Sequence, residues 1–251
     1  MTVLSTSAVL LRAYPYSETS QILRYYTESN GVMGVMARGA RRAGRRGAGA
    51  FSTFSEGILD VHYRENRDLQ TFREFSATRA RMGLARDPIR LAGASVLAEL
   101  ILQHAESEGN PEIFHRLRLG LDAAETQELE TLLPELLAHL WSLIGGLGFK
   151  PLVTSCVQCG RTFGKEEVVR FDYGAGGAIC SSCQGQATGP RLGPVARTQL
   201  QALQSGSPPP GLVRPLGHLR LASDFITYHV SGGTPLKSMT VLANLTTEKH
   251  A

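Results

Sequence analysis

A chain of 251 residues, 42% hydrophobic and 19% charged, has the composition of a globular protein with room for one large or two to three small cores. No apolar run reaches the roughly 18 to 20 residues of a membrane span, and the opening MTVLSTSAVLLRAYPY lacks the basic and long apolar regions of a secretion signal, so a cytoplasmic setting is expected. The net charge of +4 is unevenly spread: residues 1–90 carry 14 Arg, no Lys and 8 acids, residues 91–150 carry 3 basic and 9 acidic side chains, and residues 151–251 carry 9 and 5, a partition that predicts three structural provinces and a polyanionic ligand for the first.

From the N-terminus to about Thr78, short apolar-polar alternations separated by turn residues predict strands at Ser7–Tyr14, Gln21–Thr27, Gly31–Ala37, Phe51–Tyr63 and Leu69–Thr78. The Asn30-Gly31 dipeptide favours a two-residue hairpin between the second and third. Five strands in under 80 residues suggest a small barrel, and the OB-fold is the commonest such barrel that also binds oligonucleotides.

Leaving the third strand, the stretch NGVMGVMARGARRAGRRGAGA (Asn30 to Ala50) holds five arginines, Arg38, Arg41, Arg42, Arg45 and Arg46, separated only by Gly and Ala. Guanidinium groups stay ionised and present a planar donor fork matched to phosphate oxygens. A merely solvated loop is the competing reading, but five positive charges without one acid favour a phosphate-gripping segment. The spacing Gly39-x4-Gly44 imitates a nucleotide-cradling P-loop, yet Arg45 and Arg46 stand where that motif needs Lys and Ser or Thr, so ATP hydrolysis is rejected. Tyr14, Tyr16, Tyr25, Tyr26 and Tyr63 are candidates for base stacking, each competing with a place in the barrel core.

Asp87-Pro88 and Asn110-Pro111 each pair a capping side chain with a proline at the first helical position, and a third apolar run from Leu132 to Leu147 carries Pro134 in its first turn. A compact helical bundle follows, with a solvated acidic face. Gly193 to Gln204 reads as a further short helix, Ser207 to Gly211 as an extended link, Leu216 to Val230 as a mixed apolar segment packing back on the bundle, and Thr246 to Ala251 as a frayed tail.

All four cysteines fall into two C-x2-C pairs, Cys156/Cys159 and Cys180/Cys183, with twenty residues between them. Paired knuckles at this separation fit a four-thiolate tetrahedral site better than disulfides or unlinked thiols. A closed shell of four sulfurs leaves no position for water, which points to structural Zn2+, with iron as the second choice. Gly160 lets the chain turn back beneath the metal, and Gly174 to Gly177 marks a hairpin between the knuckles. The seven scattered histidines form no metal pattern, and neither a nucleophile elbow nor a two-metal acidic cluster is visible. Binding, and not catalysis, is the expected activity.

Taken together, Gly31-x-x-Gly34, then Ala37-Arg38-Gly39-Ala40-Arg41-Arg42, Phe54, a helical middle, Gly148 leading to Cys156-x2-Cys159-Gly160, and Leu236-Lys237-Ser238 before Val241-Leu242 resemble the RecO family of bacterial recombination mediators. The resemblance spans nearly the whole chain. It implies an α+β multidomain protein: an OB-fold domain over 1–79, a helical domain over 80–150 and 191–251, and a zinc element inserted at 151–190. It also implies binding of single- and double-stranded DNA, strand annealing, and loading of RecA together with RecR on DNA coated by single-strand-binding protein, whose acidic tail is a further partner. Relatives carry lysines where Arg45 and Arg46 stand here, which keeps the charge and changes the donor geometry. A zinc-ribbon RNA-binding or transcription-associated protein is the alternative reading.

Overall fold

The computed structural model describes residues 2–40, 52–105, 108–185 and 187–248. It divides into two compact units, one of Met1–Gly83 with Ala98–His115, the other of Leu84–Leu97 with Arg116–Ala251.

In the first unit, β1 (Thr2–Pro15), β2 (Gln21–Thr27), β3 (Gly31–Ala37), β4 (Glu56–Tyr63) and β5 (Leu69–Arg79) close into a barrel of order β1-β2-β3-β5-β4, with β4 returning to β1. The β3/β5 pair is parallel and all other pairs are antiparallel, the arrangement of the OB-fold. Alternation turns Leu10, Leu23, Tyr25, Met33, Val35, Leu59, Val61 and Phe75 into one interior cluster. β1 begins at Thr2, earlier than its polar Ser5-Thr6-Ser7 suggests, because that stretch pairs with Ile58–Asp60 of β4. The predicted two-residue turn is in fact a three-residue one. Thr27 pairs with Gly31, and the Thr27 hydroxyl donates to the Gly31 carbonyl at 3.0 Å while accepting from the Asn30 N–H at 3.1 Å.

In the helical part, α1 (Pro88–His104) and α2 (Pro111–Thr126) start where the capping signals place them. The Asp87 carboxylate accepts from the Ile89 N–H at 2.8 Å, and the Asn110 side chain from the Ile113 N–H at 3.1 Å. The second unit is built round α3 (Leu132–Gly146), which buries nine side chains including Trp141 and packs on α4 (Pro194–Gln204) and α5 (Pro215–His229). A last helix, α6 (Lys237–Glu248), packs on α5 and buries Met239, Leu242 and Thr246, so the tail from Thr246 to Glu248 is helical and not frayed.

Between α3 and α4 lies a three-stranded sheet of order β7-β6-β8, formed by β6 (Val169–Asp172), β7 (Gly177–Ile179) and β8 (Arg191–Leu192). Phe171 anchors it, fully buried and edge-on to Phe225 of α5 at 6.0 Å, while the Tyr173 hydroxyl donates to Asp224 at 3.0 Å.

Candidate nucleic-acid interface and metal centre

The arginine-rich segment leaves the barrel at the end of β3, where Arg38 is exposed. Arg41, Arg42, Arg45 and Arg46 lie outside the described residues. What the structure does define is the footing to which the segment returns. The Phe54 N–H donates to the Leu10 carbonyl at 2.7 Å and the Leu10 N–H to the Ser55 carbonyl at 2.9 Å, stitching this footing to β1. Arg81 donates to the Phe54 carbonyl at 2.9 Å and pairs with Glu56 at 2.6 Å, its own side chain fully shielded. Phe54 and Arg81 both have left-handed backbones, at φ of 71° and 47°. Two non-glycine residues in that region cost free energy, which this packing and pairing must offset.

The barrel wall adds cations that the sequence reading did not single out. Arg12 of β1 stands opposite Arg24 of β2, both on the face away from the core. Like charges directly opposite across an antiparallel pair repel, and a shared anion relieves that. Arg24 in turn faces Gly34 of β3, where an added Cβ would come within 3.3 Å of the Arg24 guanidinium and 3.1 Å of the Asp68 carbonyl. Glycine at this position lets the guanidinium lie across the strand. Beside the pair, the Arg12 guanidinium sits 5.0 Å from the centre of the Tyr14 ring. Strand alternation was the signal available: with Leu23 and Tyr25 facing inward, Arg24 must face outward.

Of the five candidate stacking tyrosines, Tyr14 and Tyr16 are accessible, at 39% and 64% exposure. Tyr63 is half-buried against the barrel core. Tyr25 and Tyr26 are removed from solvent, Tyr25 against Phe75 at 5.2 Å and Tyr26 against Phe114 at 6.1 Å. Burial pushes the Tyr26 hydroxyl up to about 12 and raises Tyr25 as well. These two are packing residues, not stacking platforms.

The cysteines do converge. The sulfurs of Cys156, Cys159, Cys180 and Cys183 all lie within 4.8 Å of one another, Cys159 and Cys180 at 3.9 Å. Four sulfurs bound to one tetrahedral ion at ~2.3 Å would be about 3.8 Å apart, so the donor set fits Zn2+ with little adjustment. The backbone assembles it: the Ala178 N–H donates to the Leu152 carbonyl at 2.8 Å and the Val157 N–H to the Ala178 carbonyl at 3.0 Å, laying the first knuckle on β7. Gly160, at φ 75°, closes that knuckle with its N–H on the Cys156 carbonyl at 2.9 Å.

Burial raises the Cys156 thiol, but N–H groups of Cys180, Cys159 and Gln158 outweigh it and hold the group down at about 6. Its bond with Cys180, then burial, push Cys183 up to about 12. Arg161 lies against Cys180 and pairs with Glu167 at 2.6 Å, placing a positive charge beside the sulfurs.

Comparison with known proteins places these features in a lineage. Residues 1–81 match the family model described as "Recombination protein O N terminal" and residues 85–212 the one described as "Recombination protein O C terminal". Similar curated proteins include the DNA repair protein RecO of Anaeromyxobacter sp. (strain K), 33% identical over 78% of this chain and 76% of that protein. The DNA repair protein RecO of Myxococcus xanthus is 31% identical over 95% and 96%, and that of Desulfatibacillum aliphaticivorans 27% identical over 98% of both.

Proposed function

The chain belongs to the recombination protein O (RecO) family, and on that premise we propose that it is a DNA-repair mediator that grips phosphate backbones of single- and double-stranded DNA without reading base edges. The carrying observation is the outward Arg12/Arg24 pair, joined at the end of β3 by Arg38 and by the arginines 41, 42, 45 and 46 in the sequence that follows. Cations on the barrel wall fix a strand's path, and the further arginines of the sequence add charge for phosphates whatever the bases. Tyr14 and Tyr16 add π faces that accept any base.

Annealing needs no bond to be made or broken. Two polyanions brought onto one cationic surface lose mutual repulsion, and pairing then proceeds by base complementarity. The protein therefore acts as a non-enzymatic factor, working in the bacterial cytoplasm at the nucleoid with RecR, with the acidic tail of single-strand-binding protein, and towards RecA loading. No helix among the described residues is long and apolar enough to cross a membrane. Cys156, Cys159, Cys180 and Cys183 would together hold a structural Zn2+, which would tie the two knuckles to each other.

A strand-annealing assay with labelled complementary oligonucleotides, bare and coated with single-strand-binding protein, tests this directly. Faster annealing of both substrates with intact strands supports the reading. Strand loss in Mg2+ alone would make the protein a nuclease, and preference for structured RNA over DNA would favour the alternative zinc-ribbon RNA-binding or transcription-associated role.

A further inference from the structure

The three-stranded sheet of the cysteine element carries a second pair of opposed cations. Arg170 on the central strand β6 stands directly opposite Arg191 on the edge strand β8. Residues paired in this way project to the same side of a sheet, here the side opposite Val169 and Phe171, which are buried. The register is held firmly: the Phe171 N–H donates to the Pro190 carbonyl at 2.8 Å, and the Gly189 N–H to the Phe171 carbonyl at 3.0 Å. The register thus makes the two arginines, one half-buried and one exposed, direct cross-strand neighbours, a placement in which like charges repel.

Among the described residues neither has an acidic partner. Two carboxylates of the same element are engaged elsewhere. Asp172 accepts from the N–H groups of Ala175 at 2.7 Å and Thr188 at 3.3 Å, and Glu167 is taken by Arg161. Moreover, the Nε of Arg170 is buried with no hydrogen-bond acceptor, the condition of a donor whose partner is missing. An oxyanion between the two forks would replace repulsion with charge-assisted hydrogen bonds and satisfy that donor.

We infer that Arg170 and Arg191 form a phosphate clamp, a second contact for the nucleic-acid backbone on the cysteine-bearing sheet, separate from the barrel. The inference rests on the DNA-binding reading above. It assigns the sheet a ligand role besides the structural role of its sulfurs.

The test is a salt titration of a fluorescein-labelled oligothymidine by anisotropy, using the full zinc-loaded chain and the Arg170→Gln/Arg191→Gln variant, with zinc content and circular dichroism as controls. Loss of two phosphate contacts lowers the steepness of log K against log salt by about 1.4 and weakens binding by roughly 25-fold near ~0.1 M salt. Arg170→Lys/Arg191→Lys restores most of the steepness but not all of the affinity, because a point charge replaces a fork. Should the double variant fail to fold, the exposed Arg191→Gln alone lowers the steepness by about 0.7. A folded variant with unchanged steepness and affinity overturns the clamp and leaves barrel binding intact. An absence of binding by the unsubstituted chain overturns the DNA reading itself, and the clamp with it.

Discussion

Arg81 and Glu56 form an ion pair at 2.6 Å in which the arginine side chain is wholly shielded from solvent and the carboxylate keeps 12% exposure. The same guanidinium caps the Phe54 carbonyl, so one side chain fastens the chain just beyond β5 to the footing of the arginine-rich segment. Removing one partner of such a pair strands a charge. Arg81→Met should therefore lower stability by about 3 kcal/mol in urea denaturation, whereas Arg81→Met with Glu56→Leu should recover most of the loss. An unchanged midpoint in the single variant would mean the pair is not structural.

The barrel wall predicts a separable electrostatic effect. Arg12→Gln/Arg24→Gln leaves the core untouched and should reduce the steepness of the single-strand salt titration by about 1.4, with thermal stability unchanged or slightly raised as the like-charge contact disappears. Equal steepness would remove the wall from the DNA path.

The tyrosines should split by location. Tyr14→Ala and Tyr16→Ala should each weaken single-strand binding by about 1 to 3 kcal/mol if a base stacks there, with little change in melting temperature. Tyr25→Ala, by opening a cavity beside Phe75, should cost about 3 to 5 kcal/mol of stability. Binding and melting curves on the three proteins decide this, and a Tyr14 variant that melts early but binds normally would reverse the assignment.

For the cysteines, metal analysis should find one Zn per chain, and Cys156→Ser should lower the melting temperature more than it lowers DNA affinity. The pH dependence has a definite sign. Cys156, held down at about 6, gives up its proton around neutral pH, while Cys183, pushed up to about 12, keeps its own. Zinc uptake by metal-free protein must expel protons, so affinity rises with pH and metal is lost on acidification. A competition titration with a chromophoric chelator between pH 6 and 8 checks the slope; affinity falling with pH would exclude thiolate ligation.

Local signals carried far in this sequence. β2 and β3 occupy the ranges their alternation predicts, the Asp87 and Asn110 caps start their helices, and the knuckles meet. What escaped was decided by distant contacts. The early start of β1 depends on pairing with β4, and β8 has two residues that read as a strand only beside β6. Tyr25 and Tyr26, adjacent and so facing opposite ways, are both buried because Phe114 covers the outer one. Helix α6, rich in Thr, has weak intrinsic propensity and is held by burying Met239 and Leu242. At the site, charge runs pointed to the arginine segment, but the cross-strand pairs Arg12/Arg24 and Arg170/Arg191 need the register.

The most direct test of the central claim is a salt titration of a single-stranded oligonucleotide by the full chain and by a variant with Arg38, Arg41, Arg42, Arg45 and Arg46 all replaced by Gln. If each arginine neutralises one phosphate, the substitutions should remove about 3.5 from the steepness of log K against log salt. Identical steepness and affinity in a folded variant would contradict the claim.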